Sequence, residues 1–445
     1  MLSLTGPTTR DCEGVTRRSL LKLGTLGLGG LSLNHLLALR AQAATRSTSA
    51  TSSPKTSVIF FEMAGGPTHF ETYDPKPLAP VEYRGPLDAI DTVLPGVQFS
   101  ELMVEQAKVA DKVAIIRSIH HDSASHGTSS HLTQTGYYLR NNQNRENEMP
   151  AAGSIATRLR GPNTPGMPAY VSMPRAMRYG TATWLGKAHN PFVVDGDPGQ
   201  PDFRVNNLSL EGDLNLGRLD TRRGLLNALD AQRRLLDNDG VSPALDEFTR
   251  QAFEMLTSDH ARQAFDLSKE SESTRDMYGR NTTGQSMLLA RRLVEAGVTF
   301  VTVRMKDSWD DHTKIADRMK EKGPAFDRSM AALVRDLYER GLDRDVLLVA
   351  TGEFGRTPRV NTGGGRDHWG SVMSVLLSGG GLKVGQVIGS SSSKGEVPAD
   401  VPYRPENVLA MIYRHLGIDP ALTFNDLTGR PRFILERREL IRELV

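Results

Sequence analysis

The stretch VLLVATGEFGRTPRVNTGGGRDHWG, from Val346 to Gly370, joins a short apolar run to a loop that is rich in glycine and ionisable side chains. Val346–Ala350 is a continuous apolar run of the kind found in strands that are buried on both faces. Glu353, Asp367 and His368 follow it. Because α/β sheets bind ligands beyond the carboxyl ends of their strands, the stretch predicts an α/β protein with a metal-binding type of site at the sheet edge.

The composition of the chain is that of a globular protein. It has 445 residues, of which 38% are hydrophobic and 24% charged, with a net charge of +2. These values exclude a disordered or fibrous chain, and the length allows one large α/β domain or about two or three smaller ones. No long basic run is present, so nucleic acid is not an expected partner. A redox enzyme has little support, since the sequence lacks a dinucleotide-binding glycine fingerprint, a flavin motif and a haem-binding cysteine pair.

Residues 1–44 have the order of features expected of a bacterial export signal. Paired Arg17 and Arg18 precede a moderately apolar, glycine-rich stretch, and small residues end the segment. The run TRRSLLK resembles the twin-arginine export motif. The alternative is a chance arginine pair before an apolar helix. An export signal predicts cleavage near Ala43 or Ala44 and a folded protein sent to the periplasm, the cell surface or the medium, whereas an uncleaved segment would act as an anchor.

The single cysteine, Cys12, lies in this segment. Removal of the segment would leave a mature protein without a disulfide, a thiolate ligand or a cysteine nucleophile. A metal site would then use His, Asp, Glu or backbone oxygens, and a nucleophile would be Ser, Thr or a less usual group. The Ser/Thr-rich run at 45–56 is predicted to be a flexible linker.

From residue 57 onward, apolar strands alternate with amphipathic helices. The predicted buried strands are Ser57–Met63, Lys112–His121, Val298–Met305, Val346–Ala350 and the run SVMSVLLSGGGL. The pattern turns helical at about 208–297, and we expect a helical insertion there, either a lid over the site or a packing layer. This alternation predicts one domain over 57–445, a three-layer α/β/α sandwich with a central, largely parallel sheet.

Four clusters of polar residues follow four of these strands. They are His69, Glu71 and Asp74; His120, His121, Asp122, Ser125, His126, Thr128 and His131; Asp307, Asp310, Asp311 and His312; and Glu353, Arg356, Asp367 and His368. The mixture of carboxylate and imidazole suits zinc, manganese, magnesium or calcium. Structural roles are the alternative: Asp122 and Asp310 as helix N-caps, Asp74 as a turn residue, and Arg356 as an ion-pair partner of Glu353.

The run AFDRSMAALVRDLYERGLDRDVLLVATGEFGRTP resembles the alkaline phosphatase superfamily, which includes sulfatases and phosphomutases. Members have an Asp at the start of a helix, a strand that ends in Ser-Asp-His-Gly, and a further His downstream. Asp327 matches the first of these features and His368 the last. The Glu-Phe-Gly of this run stands where members have Asp-His-Gly. Its phenylalanine cannot bind a metal, so the resemblance implies that Asp367 or His368 compensates or that one metal is missing.

Over nearly its full length the chain is similar to a bacterial group known as domain-of-unknown-function family 1501, twin-arginine-exported proteins placed in that superfamily. The matching runs are GGPTHFETYDPKPLAPVEYRGP, ADKVAIIRSIHH, QSMLLARRLVEAGVTFVTV, GEFGRTPRVNTGGGRDHW and LSGGGLKVGQVIG. The resemblance implies an alkaline-phosphatase-like core. It does not assign a reaction, because the activity of the family is not established.

The position of a nucleophile follows only from this resemblance. In sulfatases the nucleophile opens a helix ahead of a Leu-Thr-Gly motif, and counting back from Thr135 in SHGTSSHLTQTG reaches His126. The sulfatase nucleophile signature is absent. The candidates are therefore Ser125 or Thr128 as a metal-activated nucleophile, and His126 as a ligand or nucleophile. At the end of the first strand, where the superfamily has a metal-binding Asp, the chain offers Glu62.

Two functions remain open. The first is metal-dependent hydrolysis of phosphate or sulfate esters, in which Arg356 or Arg366 would hold a non-bridging oxygen. Its predicted metal ligands are His69, Glu71, Asp310, His312, Glu353, Asp367 and His368. The second is a member that has lost hydrolysis, keeps its metal and binds a sulfated or phosphorylated glycan or a partner protein. A hydroxyl of Ser125 or Thr128 within about 3 Å of the metal position would favour hydrolysis. No membrane span is expected in the mature protein, and the oligomeric state stays open.

Overall fold

The computed structural model describes residues 55–205, 255 and 258–445. The predicted signal peptide, residues 1–44, lies outside the described residues, as do most of the predicted linker and the first part of the predicted helical insertion. Thr56, the last residue of the predicted linker, is buried. Across the described ranges, every helix is too short or too polar to span a bilayer.

A central sheet of eight strands forms the middle of the fold. Its strands are β1 (Ser57–Glu62), β2 (Val113–Ile119), β3 (Tyr170–Met173), β4 (Phe192–Val193), β5 (Phe300–Arg304), β6 (Val346–Thr351), β7 (Met373–Gly379) and β8 (Gln386–Ile388). Their order across the sheet is β8-β2-β7-β6-β1-β5-β3-β4. Every neighbouring pair is parallel except the two that include β7. The prediction of a largely parallel sheet is confirmed.

Helices cover both faces of this sheet. They are α1 (His126–Thr135), α2 (Ala152–Arg160), α3 (Asp259–Phe265), α4 (Glu272–Tyr278), α5 (Thr282–Glu295), α6 (Ile315–Glu339) and α7 (Pro405–His415), with short helical turns at Val81–Arg84 and Val104–Ala107. Four short antiparallel pairs lie in the loops: Ala89–Asp91 with Gln98–Ser100, Gly355–Arg356 with His368–Trp369, Ser390–Ser391 with Pro398–Asp400, and Thr423–Asn425 with Pro431–Phe433.

Two hydrophobic cores lie on opposite faces of the sheet. On β1, Ile59 and Phe61 belong to the core that α5 and α6 cover, whereas Val58 and Phe60 belong to the core that α2 and α7 cover. Successive side chains of a strand point to opposite faces, so a strand between two cores must be apolar throughout. This is why the buried strands read as continuous apolar runs, and it confirms the predicted α/β/α sandwich.

The described part of the predicted helical insertion contains α3, α4 and α5. The side chain of Asn281 accepts a hydrogen bond from the Gly284 backbone N–H and so caps the start of α5. Met287, Leu288 and Leu289 in α5 are fully buried. This helix is therefore a packing layer of the domain.

The strand directions place the polar clusters at one edge. β1, β5 and β6 are parallel neighbours, and β2 runs the same way because both β2 and β6 are antiparallel to β7. The loops that follow these four strands therefore leave from the same edge of the sheet. The loop after β2 leads directly into α1, which begins at His126.

Candidate metal centre

Three loops bring His126, Asp310 and His368 together. His126 opens α1, Asp310 lies in the loop after β5, and His368 lies in the loop after β6. One potential ligand atom from each of the three lies within 4.8 Å of the others. The Nε2 atoms of His126 and His368 lie 3.2 Å from Asp310 Oδ2 and 3.1 Å from Asp310 Oδ1, respectively. His312 adds a third imidazole, with Nε2 2.9 Å from Asp310 Oδ1. These four residues form a candidate metal-binding site, which we refer to below as the metal centre.

Each of the three imidazoles is held from behind through Nδ1. His126 Nδ1 lies 2.7 Å from Glu353 Oε1, and His312 Nδ1 lies 2.7 Å from Asp367 Oδ1. His368 Nδ1 lies 2.9 Å from the Ala124 carbonyl oxygen. Ionised carboxylates and carbonyls only accept hydrogen bonds, so each Nδ1 is the protonated nitrogen. This arrangement, with a carboxylate or carbonyl behind each ring, is typical of histidines that bind metals.

In the neutral form with Nδ1 protonated, none of the three rings has a proton on Nε2 to donate to the Asp310 carboxylate that they face. With Nδ1 protonated, a neutral imidazole presents the lone pair of Nε2. The Nε2 atoms of His312 and His368 lie 3.1 Å apart, and both face the Asp310 carboxylate. A cation between them would satisfy all these lone pairs at once. Imidazole nitrogens and one carboxylate are a donor set that fits zinc.

Glu353 and Asp367, both predicted as ligands, lie behind histidines. Both carboxylate oxygens of Glu353 accept from the Gly65 backbone N–H, at 2.9 and 3.0 Å, and Glu353 is 3% exposed. Asp367 contacts His312 and the side-chain amide of Asn361. The structure therefore gives both residues the position of an orienting carboxylate.

Arg356 fixes Asp310 in place. Its buried guanidinium donates to the backbone oxygens of Gly65, Gly66 and Arg366 and to the Asp310 carboxylate. Burial of Asp310 acts to raise its pKa, but the hydrogen bond and charge of Arg356 outweigh burial and hold the pKa well below the usual range. Arg356 is thus committed to the protein interior, which corrects its predicted role as a clamp for the substrate.

The loop that carries Asp310 is tied down by neighbouring residues. Lys322 Nζ, from α6, lies 2.8 Å from Asp311 Oδ1, and both side chains are buried. Thr313 and Gly364 form an isolated antiparallel bridge between this loop and the loop that leads to His368. The two loops therefore hold the centre as one unit.

His69 and Glu71 were predicted as ligands, but the structure does not bring them to the centre. Arg366 Nη2 and Nε lie 2.9 and 3.0 Å from Glu71 oxygens, in an ion pair whose two side chains are 0% and 1% exposed. Thr68 donates to the same carboxylate. His69 Nε2 lies 3.0 Å from the Gly395 carbonyl oxygen. Both residues stabilise the loop after β1, and Arg366 is likewise not free to hold a substrate oxygen.

Buried His69 should make the stability of the protein depend on pH. Burial lowers the pKa of its imidazole to about 4. Between this value and the ordinary pKa of about 6.5, the unfolded chain binds more protons, so stability falls as the pH drops. We expect a loss of about 2 kcal/mol from this residue on going from neutral pH to about pH 5. The midpoint of thermal unfolding should decline less steeply in His69→Gln than in the wild type; parallel declines would contradict this.

The predicted nucleophiles Ser125 and Thr128 flank His126 but do not line the pocket beside the centre. Ser125 directly precedes α1, and its backbone N–H donates to Ser123 Oγ. The pocket has a volume of about 210 Å³, and the serines among its described lining residues are Ser130 and Ser308. The structure thus leaves His126 as the residue of this segment that reaches the centre.

Several other residues of the predicted clusters have structural partners, as does Asp327, which was predicted to begin a helix but lies inside α6. Asp74 pairs with Lys76, Asp122 with Arg404 and Asp311 with Lys322, His121 Nε2 contacts the Glu353 carbonyl, His131 Nδ1 contacts the Tyr137 carbonyl, and Asp327 accepts from the backbone of Glu105 and Gln106. Asp327 thereby caps the helical turn Val104–Ala107 from a distant part of the chain.

The basic side chains that line the pocket were not predicted from the sequence. Arg175, Arg178, Arg304 and Lys306 line it together with Glu62. Burial raises the pKa of Glu62 to about 7, although Arg304 acts against this. The sequence did contain a signal for these cations, because Arg175 and Arg178 follow β3, Arg304 ends β5 and Lys306 follows it. The strand-end rule was applied to acids and histidines but not to these cations.

The protein is thus an α/β sandwich with a candidate metal centre at the carboxyl edge of its sheet. The chain belongs to the family described as Protein of unknown function (DUF1501), whose model matches residues 55–445. This confirms the family resemblance drawn from the sequence.

Comparison with curated proteins finds no match. Solved structures similar to the chain include Ps i-CgsB in complex with k-i-k-neocarrahexaose, at 12% identity and a TM-score of 0.40, covering 82% of this chain and 72% of that one. PsFucS1 sulfatase from Pseudoalteromonas sp. is 11% identical with a TM-score of 0.35, covering 87% and 71%. Likeness at this level assigns neither a substrate nor a reaction.

Proposed function

We propose that the protein is a metal-dependent hydrolase of phosphate or sulfate esters. The observation that carries this proposal is the convergence of three imidazole Nε2 atoms on the Asp310 carboxylate, with every Nδ1 held by an acceptor. Of the metals that the sequence left open, this donor set favours zinc or manganese, because magnesium and calcium prefer oxygen ligands.

The surroundings of the centre suit an anionic ester. A bound divalent metal would polarise the ester and favour deprotonation of water at neutral pH. Glu353 orients His126, Asp367 orients His312, and Arg356 holds Asp310. The centre is partly open to solvent, since the side chain of Asp310 is 34% exposed and that of His126 is 31% exposed. A substrate can therefore reach it from the adjoining pocket.

Water is the nucleophile that we propose. A hydroxyl must lie near the reacting atom to attack it, and the two hydroxyls that the resemblance offered, Ser125 and Thr128, are not among the described residues that line the pocket, although Ser130 and Ser308 are. The same observation favours the second candidate, a member that binds sulfated or phosphorylated glycans or a partner protein without hydrolysing them. Turnover decides between the two.

Hydrolysis should be seen with simple esters. The protein, prepared with zinc or manganese, is expected to cleave 4-nitrophenyl phosphate or 4-nitrophenyl sulfate. A chelator should reduce the rate by at least about a hundredfold, and the same metal should restore it, because a metal supplies several kcal/mol of transition-state stabilisation. Metal-loaded protein that cleaves neither ester would contradict hydrolysis and favour the binding function.

We also propose that the protein is exported by the twin-arginine route, on the evidence of Arg17, Arg18 and the apolar stretch that follows. These residues lie outside the described part of the chain. Fractionation of producing cells would test this, since protein found only in the cytoplasm would contradict export.

A further inference from the structure

The pocket beside the metal centre has two basic side chains that form no ion pair within the described part of the chain. Arg304 Nε lies 3.5 Å from Glu62 Oε2, and Lys306 Nζ lies 3.8 Å from Asp197 Oδ2. Arg175 and Arg178 line the same pocket, are exposed, and form no ion pair with any acidic side chain of the described residues. Both act on the buried Glu62 from a distance, where burial raises its pKa and their charges lower it, but neither is held by a direct ion pair, so their N–H groups can contact a ligand.

The backbone that carries these two arginines is fixed by side chains from outside the loop. Ser172 Oγ donates to the Arg175 carbonyl at 3.0 Å, and Gln134 Nε2, from α1, donates to the Arg178 carbonyl at 2.7 Å. The next residue, Tyr179, has a φ of 59°. Non-glycine residues rarely adopt this conformation, and it persists where surrounding contacts hold it, often at functional sites. The arginines are thus displayed on a rigid loop, unlike an ordinary solvated surface.

Arg178 lies next to the helix that supplies His126. A Cβ atom added at Gly127, in the first turn of α1, would lie 3.3 Å from Arg178 Nη2 and 3.0 Å from the Tyr179 hydroxyl. Glycine at this position lets the guanidinium pack close to the helix start. The guanidinium carbon lies 4.8 Å from the centre of the Tyr179 ring. Stacking on the ring leaves the N–H groups at the edge of the guanidinium free to donate.

We propose that Arg175 and Arg178 bind an anionic group of the substrate other than the ester that reacts. The inference rests on the proposed function and names its substrate class: esters that carry at least one further sulfate, phosphate or carboxylate. The reacting ester lies against the metal centre, and the second group lies against the arginines that line the same pocket. A guanidinium recognises such groups through paired, charge-assisted hydrogen bonds.

The test compares a multiply charged ligand with a singly charged one. The protein variants are the wild type, Arg175→Gln/Arg178→Gln, and a control, Arg344→Gln/Arg414→Gln, which removes the same charge from two exposed arginines. Arg344 precedes β6 and so lies towards the opposite edge of the sheet. Calorimetry measures the affinity of each protein for a heparin-derived tetrasaccharide. Steady-state kinetics measures kcat/KM for whichever 4-nitrophenyl ester the wild type cleaves.

We expect Arg175→Gln/Arg178→Gln to bind the tetrasaccharide roughly tenfold to a hundredfold more weakly than the wild type, as for lost hydrogen bonds to charged groups. The control should stay within about twofold, since exposed charges elsewhere are screened. The kcat/KM for the 4-nitrophenyl ester should change little in either variant.

Three results would overturn the inference. The first is that the wild type does not bind the tetrasaccharide, and the second is that Arg175→Gln/Arg178→Gln binds it as tightly as the wild type. The third result is a loss of kcat/KM for the simple ester in Arg175→Gln/Arg178→Gln that is as large as its loss of affinity for the tetrasaccharide. The last result would mean that the arginines hold the reacting group. Binding needs no turnover, so a protein that cleaves no ester but binds the tetrasaccharide through these arginines would refute hydrolysis and retain the anion site.

Discussion

Asp310→Asn is expected to abolish divalent-metal binding and ester hydrolysis while the protein remains folded. Three imidazole Nε2 atoms meet at this carboxylate, so its loss removes the one carboxylate of the proposed ligand set. The change leaves the buried Arg356 charge without its carboxylate partner and so costs some stability, but asparagine keeps an oxygen that can accept from Arg356 and the side chain of Asp310 is 34% exposed, so the protein should remain folded. Metal affinity should fall by at least about a hundredfold and hydrolysis by about a thousandfold or more.

The matched control for Asp310→Asn is Asp307→Asn. Asp307 lies in the same loop, lines the same pocket and is exposed, but it is not one of the residues of the metal centre. The control makes the same change in charge and size. Calorimetric titration with zinc or manganese, together with hydrolysis rates, should separate the two variants. Full metal affinity in Asp310→Asn would show that the centre has been placed wrongly.

Glu71→Ala should destabilise the protein by about 3–5 kcal/mol, because it leaves the buried charge of Arg366 without its partner. The two side chains are 1% and 0% exposed, and the guanidinium makes two short contacts with the carboxylate. The loss can be measured as the free energy of unfolding in denaturant. Metal stoichiometry should not change, since Glu71 does not reach the centre.

The control for Glu71→Ala is Glu321→Ala. Glu321 Oε2 lies 3.5 Å from Arg318 Nη1 on the surface of α6, with the two side chains 67% and 55% exposed. Exposed pairs of this kind contribute about 0–1 kcal/mol. Loss of the metal in Glu71→Ala without a large loss of stability would restore Glu71 as a ligand.

The strands were predictable because burial on two faces constrains every residue of a strand. The predicted run Val346–Ala350 is β6, Val346–Thr351, and Ser57–Met63 is β1, Ser57–Glu62. The reversal of β7 was not predictable, because an apolar run contains no information about strand direction. Only the pairing with β2 and β6 shows that β7 is antiparallel.

The metal centre was predictable in part. The strand-end rule placed His126, Asp310, His312 and His368 at one edge of the sheet, and the structure brings them together. The rule predicts at which edge of the sheet a side chain lies but not which side chains contact each other there. It therefore could not show that Glu71 pairs with Arg366, a residue distant in sequence. Nor could it separate a residue at the centre from one that orients it.

The orienting residues depend on distances that no sequence spacing encodes. Glu353 faces Nδ1 of His126, and Asp367 faces Nδ1 of His312. Both lie in loops that only the fold brings next to their histidines. Such a carboxylate contacts the Nδ1 atom of its histidine, whereas the carboxylate of the proposed ligand set, Asp310, lies beside the Nε2 atoms.

Elemental analysis of the protein, purified without chelator and without nickel affinity, tests the central claim most directly. We predict about one equivalent of zinc or manganese per chain, as expected of a centre with a single set of three imidazoles and one carboxylate. Protein that contains no metal, and whose midpoint of thermal unfolding does not rise when zinc or manganese is added, would contradict the metal centre.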